Sequence, residues 1–168
     1  MEKTAEANFV LQQGFWDASA ADCELKYPAL MWQPRVIGVI VLVGLITQAW
    51  PLFLGLSVLL LWNALLPMLN PFDAIYNRLI ASPKDLPRLG PAPGPRRFAQ
   101  ALAATFSLGI ALSLFLGWST AALVLEAFLV AALAALIFGR FCLGSYIFLV
   151  LKGESRFANR TLPWRRTE

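Results

Sequence analysis

An all-α integral membrane bundle of four transmembrane helices, arranged as two hairpins, is the fold class that three features of this sequence predict. Residues 36–72 and 98–125 hold no charged side chain. Hydrophobic residues make up 58% of the 168-residue chain and charged residues only 14%, against about 25% charged in a soluble domain. A basic loop separates the two apolar blocks. A spanning helix needs about 20 apolar residues, so the first block, and the second once it is continued past Glu126 to about 138, can each hold two short helices joined by a tight turn.

Composition removes several functions. The chain has no His, which takes away the usual ligand for haem or chlorophyll and most zinc, copper and di-iron sites. Two cysteines, Cys23 and Cys142, are too few for a disulfide framework or an iron–sulfur cluster held by this chain alone. The net charge of +4 follows from the placement of bases around the membrane, so no nucleic-acid partner is expected. The N-terminal stretch mixes acids and bases, with no basic run leading into an apolar core, and does not read as a cleaved signal peptide.

Residues 1–32 read as an N-terminal extension, 33–151 as the transmembrane domain and 152–168 as a basic tail. Helix one is expected over about 34–49 and helix two over about 52–68, with Trp50-Pro51 at the turn, because Pro is tolerated in a first helical turn and Trp favours the interface. Asn70 or Asp73 caps a short surface segment over 74–80 that turns Ile75, Leu79 and Ile80 toward the bilayer. The stretch from Pro87 to Pro95 is too rich in Pro and Gly for a regular helix. Helix three runs from about 97 to 116, and Gly117-Trp118-Ser119 makes the second turn. Helix four begins near 120 and reaches at least 138. Whether it continues to Leu151 is open, a break near Gly139 or Gly144 being the more economical arrangement.

Four spans place both termini and the 73–97 loop on one side. The loop and the tail are rich in Arg and Lys while the opposite turns are uncharged, so the positive-inside rule makes that side cytoplasmic. Small residues recur every fourth position in Ala101, Thr105, Gly109, Ser113 and Gly117, and again in Ala127, Ala131, Ala135 and Gly139. These stripes either face each other within the second hairpin or turn one face to another subunit.

Glu126 is the sharpest anomaly, an acid about six residues into helix four. It reads as a hydrogen-bonded packing residue or as a proton- or cation-accepting carboxylate. Asn63, near the middle of helix two, needs a partner such as Ser107, Ser113 or Glu126 and acts as structural glue or as a ligand contact. Gln48 and Gln100 lie near the boundaries, within reach of headgroups or water. Arg140 is too far along the helix to pair with Glu126 and could stabilise a Cys142 thiolate.

The stretch Gly139-Arg-Phe-Cys-Leu-Gly-Ser145-Tyr-Ile-Phe, together with Gly94-Pro-Arg-Arg-Phe-Ala-Gln100 ahead of a span, resembles domain-of-unknown-function family 4395 over about residues 32–151. The resemblance implies a small, compact, helical bacterial membrane protein with no established activity. The family motif often reads Cys-x-Gly-Cys. Cys142 and Gly144 match it, while Ser145 stands where the second cysteine would be, which excludes a local dithiol switch.

The function expected is a non-catalytic accessory or scaffold subunit of a larger bacterial inner-membrane complex, of a respiratory or photosynthetic kind. The alternative is a small independent transporter or thiol-redox component. Partner contacts are assigned to Phe15, Trp16, Tyr27, Trp32, Trp164, Arg165 and Arg166, aromatic anchors and bases suited to a protein surface or to anionic headgroups. Bound lipid is expected, no cofactor is evident, and the other partners are integral membrane subunits.

Overall fold

The computed structural model describes residues 2–84, 86 and 88–165, and all regular structure among them is helical. Eight α-helices follow in order: α1 Glu2–Gln12, α2 Ala20–Thr47, α3 Trp50–Leu65, α4 Pro71–Tyr76, α5 Gly94–Phe115, α6 Ser119–Ile137, α7 Leu143–Leu151 and α8 Ser155–Arg160. Three of them, α2, α5 and α6, are long and apolar enough to cross a membrane, and α3 is a shorter apolar helix. Large apolar side chains such as Val39, Ile46, Val58, Leu65, Leu112, Leu123 and Phe128 are exposed along these helices. That inversion of the usual burial rule marks an integral membrane protein.

The first long helix starts at Ala20, well before the expected 34. Ser19 and Asp22 form a capping box, with Ser19 Oγ accepting from the Asp22 N–H and Asp22 Oδ2 accepting from the Ser19 N–H. Such a box satisfies two orphan donors reciprocally. The helix then runs through Pro28 and Pro34, the residues that make this region read as an extension. An interior proline costs about 3 kcal/mol, and here tertiary packing outweighs it. Ala29, Leu30 and Met31 are buried in one apolar cluster with Phe9 and Val10 of α1, and the Phe9 ring meets Tyr27 edge-on at 5.7 Å. The expected N-terminal extension is therefore a packed helix followed by the first half of α2.

Gln48 ends α2 in the left-handed region at φ 48°, and Pro51 sits in the first turn of α3 as expected. At the same end of the bundle, Trp50 meets Phe115 edge-on at 5.2 Å. The α2–α3 turn thus lies beside the α5–α6 turn at Gly117, φ 73°. At the opposite end Asn70 caps α4, its Oδ1 accepting from the Phe72 N–H at 3.0 Å. A π-helical turn, Asn77–Ala81, follows α4, and Ile75 and Leu79 are exposed while Ile80 packs inward. Asn77 pins the Pro-rich loop through both its amide groups, accepting from the Leu89 N–H and donating to the Leu89 carbonyl.

The open question about helix four resolves as a break. Between Ile137 and Leu143 the helix stops, Arg140 turns to φ 52°, and α7 starts afresh. Gly144 makes the new packing possible: a Cβ there would sit 2.7 Å from Ala99 Cα, so α7 lies directly against the α5 backbone.

The small-residue stripes do not face each other. Ala127 and Ala131 are exposed on α6, and Thr105 is exposed on α5. The inward face of α5 is instead Ala104, Ser107 and Ala111. It packs most extensively along α3, where Ser57 Oγ donates to the Ala104 carbonyl at 2.9 Å. The α5 stripe is only partly inward: Ser113 is buried and Gly109 packs against Leu125 of α6, while Thr105 faces out. The membrane-depth core comprises Val41, Phe53, Leu56, Leu60, Ile110 and Leu129. The second cluster lies under α1, at the loop end.

Candidate functional site: a capped polar cluster

The loop end of the bundle holds charged and amide side chains out of solvent. Asp73, in the first turn of α4, and Arg96, near the start of α5, are both about 95% buried. They form a two-pronged ion pair, Arg96 Nη2 to Asp73 Oδ1 at 2.7 Å and Nη1 to Oδ2 at 3.1 Å. The planar guanidinium fork matches the carboxylate geometry, the strongest kind of neutralising contact. Asn70 adds a hydrogen bond from Nδ2 to Asp73 Oδ2 at 2.9 Å. Gln33 of α2 accepts from Arg96 Nη2 at 2.7 Å and from Gln100 Nε2 at 3.1 Å through the same Oε1. Arg97 turns the other way, its Nε donating to the Ala64 carbonyl at 2.7 Å. The start of α5 thereby ties together α2, the end of α3 and α4.

Amides from α1 close the cluster. Gln12 Oε1 accepts the Cys142 backbone N–H at 2.8 Å, and Asn8 Nδ2 donates to the carbonyls of Leu162 and Arg165 at 3.0 and 2.9 Å. Beneath α1 lies a cavity of about 80 Å³ whose walls include Gln13, Gln33, Arg96 and Gln100 at one end and Ile37, Leu56 and Leu129 deeper in. Among the described residues, Gln13 Nε2, Gln33 Nε2 and Gln100 Oε1 make no hydrogen bond. Native interiors rarely leave such groups unpaired.

The residues singled out from sequence fall into separate places. Glu126 is buried on α6, where its Oε1 accepts from Gln48 Nε2 at 3.1 Å. Gln48 is exposed, so it bonds Glu126 while staying within reach of headgroups or water as expected. Gln100 instead belongs to the buried cluster. Asn63 is fully buried, and neither amide atom hydrogen-bonds to Ser107, Ser113, Glu126 or any other described group. Arg140, Cys142 and Ser145 do gather at the helix break. Arg140 lies 5.5 Å from the Tyr27 ring centroid and 3.7 Å from Glu6 Oε1, while the Ser145 hydroxyl donates to Cys142 Sγ at 3.3 Å. Cys23 and Cys142 are both free and buried.

Of the assigned contact residues, Phe15, Tyr27 and Trp32 pack partly buried against the protein's own core. Trp16 and Trp164 are exposed, with Trp16 edge-on to Phe157 at 6.3 Å, and Arg165 is exposed. Arg166 lies outside the described residues. Sequence reasoning missed the Gln33–Asp73–Arg96 centre. The available signal was Arg96 and Gln100, four residues apart on one face at the start of an apolar helix, preceded by Gln33 as the last uncharged polar side chain ahead of the first apolar block. Among the described residues no group of three or more His, Cys, Asp or Glu is placed to hold a metal ion.

A family model described as Domain of unknown function (DUF4395) matches residues 28–152. No curated protein and no solved structure matches the chain.

Proposed function

The chain belongs to the DUF4395 family, and from that premise we propose that it is a non-catalytic accessory or scaffold subunit of a larger bacterial inner-membrane complex. The observation that carries this reading is the outer face of α6. Ala127, Ala131 and Ala134 are exposed there, beside an apolar groove of about 430 Å³ between α2 and α6 that includes Val39, Leu42, Ala134 and Phe138. Small side chains let a neighbouring transmembrane helix approach closely. At the capped end, exposed Trp16, Trp164 and Arg165 are of the types that dominate protein interfaces. Lipid covers the remaining apolar surface.

In this reading α2, α3, α5 and α6 all cross the bilayer as two hairpins. With 16 residues, α3 is about 24 Å long, so the bilayer thins around it. The basic 73–97 loop and both termini face the cytoplasm. Cysteines placed at Ser82 and Ser155, in a chain carrying Cys23→Ala and Cys142→Ala, should react only once the inner face is opened. Labelling of either in intact cells rejects this orientation.

The test of the scaffold role is purification in native lipid particles with quantitative mass spectrometry. A protein partner in fixed ratio is expected with the wild type and with Cys142→Ala, and its loss is expected from Ala131→Trp or Trp164→Ala. A wild type that carries lipid alone, or a partner set unchanged in both of the latter variants, overturns the proposal.

A further inference from the structure

The cavity beneath α1 combines three properties that together describe a ligand. Its polar end is electrically neutral, because Arg96 and Asp73 cancel each other through two hydrogen bonds. The same end presents two amide donors, Gln13 Nε2 and Gln33 Nε2, and one amide acceptor, Gln100 Oε1, without partners among the described residues. These three side chains are only 5%, 3% and 6% exposed, so bulk water does not serve them. The rest of the lining, from Ile37 and Leu56 to Leu129 and Leu133, is apolar apart from Cys142 and Ser107, whose hydroxyl donates to the Ala103 carbonyl. Water can occupy the amide end, but a cavity wall of Leu and Ile tends to stay dry.

An outward-facing cleft of about 140 Å³ lies on the other side of the α5–α6 seam and shares Ala99, Ala103, Leu133 and Leu136 with the cavity. Alanine is the shortest side chain that could line this seam short of glycine. The cavity and the cleft therefore border the same stretch of the seam, separated by small side chains.

We infer that this cavity binds a neutral amphiphile with a hydroxyl or carbonyl head, the head held by Gln13, Gln33 and Gln100 and the apolar chain passing along the α5–α6 seam. The unsatisfied amides supply the recognition. A hydroxyl donates to Gln100 Oε1 and accepts from Gln33 Nε2, and a carbonyl accepts from both free donors. A charged head would enter a site whose own charges are already paired, so it pays full desolvation without a counter-ion. Binding of this kind requires no second subunit and goes beyond the scaffold reading.

The experiment uses the full chain in phosphatidylcholine nanodiscs and a diazirine-bearing dodecanol as the probe, with crosslinks mapped on peptides by mass spectrometry. Labelling should saturate, fall on α5 and α6 residues of the cavity and seam, and be displaced by 1-dodecanol but not by dodecyltrimethylammonium. Ala103→Phe, which fills the seam, should abolish saturable labelling. Gln100→Leu should weaken it about tenfold, the loss of one buried hydrogen bond. Val58→Phe, on the exposed face of α3 away from both cavity and seam, should leave it unchanged. Labelling that never saturates and spreads over every outward face overturns the inference, as does equal displacement by the cation. That result would leave the amides to ordered water. If Ala103→Phe loses its helical circular dichroism, the wild-type competition and Gln100→Leu decide the matter between them.

Discussion

Replacing Asp73 by Asn changes almost nothing in shape and removes one charge from a buried pair. Asp73 Oδ2 accepts from both Arg96 Nη1 and Asn70 Nδ2, and Oδ1 accepts from Arg96 Nη2. Whichever oxygen becomes an amino group will face an N–H donor, so at least one hydrogen bond is lost as well as the charge. Arg96 would then keep its charge, about 95% buried, with Gln33 Oε1 as a neutral acceptor. Breaking a buried pair from one side costs about 3–5 kcal/mol, a large part of a total stability of about 5–15 kcal/mol. Arg96→Met should be comparably damaging, because it strands the carboxylate. The double variant Asp73→Asn/Arg96→Met removes both charges and leaves only the new amide and Gln33 short of partners, at about 1–3 kcal/mol each. It should therefore be more stable than the sum of the singles by at least about 2 kcal/mol. Reversible unfolding in mixed micelles, followed by the fluorescence of the six tryptophans, measures all four states. Single variants that each lose less than about 1 kcal/mol and add without coupling would refute the argument, since that is the behaviour of a solvated pair.

Three further expectations rest on separate contacts. Gly144→Ala should lose about 1–3 kcal/mol by pushing α7 off the Ala99 backbone; unchanged unfolding would mean that the two helices do not touch there. Glu126→Gln keeps an oxygen for Gln48 Nε2 and should stay within about 1 kcal/mol of the wild type, whereas loss of a proton-coupled activity at unchanged stability would make Glu126 more than a packing residue. Cys23 and Cys142, 3% and 6% exposed, should resist maleimide in the folded protein and react once dodecyl sulfate is added. Rapid labelling of either without unfolding contradicts their burial.

Helix positions beyond the membrane block were hard to read because proline is a strong local signal and a weak global one. Pro28 and Pro34 argue for a break, yet α2 passes through both because α1 packs against the segment between them. Pattern within the block was more informative. The turns at Gln48 and Gly117, the capping role of Asn70, and the interruption before α7 all follow from local residue chemistry. The polar centre was only half visible. Arg96 lies in a loop-to-helix motif that stands out, but its partner Asp73 is 23 residues earlier, and nothing local marks it as buried. The inward face of α5 was only partly legible for a related reason. Four-residue spacing drifts around a helix of 3.6 residues per turn, so a long stripe cannot stay on one contact: Gly109 and Ser113 turn inward, Thr105 does not, and Ala104, Ser107 and Ala111 complete the buried face.

The clasp between Asn8 and the carbonyls of Leu162 and Arg165 spans 154 and 157 residues of chain, and this sets an order on biogenesis. A ribosome adds about 5–20 residues per second, so Asn8 is made roughly 10–30 s before the groups it binds. Throughout that interval α1 can lie on α2, but it cannot yet be fastened at its far side. The insertion machinery therefore meets a bundle whose loop end is still unlatched, and residues made after all the apolar helices are those that shut it. A chain interrupted before Leu162 would keep Gln12 on the Cys142 N–H but lack both acceptors of Asn8, leaving α1 held on one flank only.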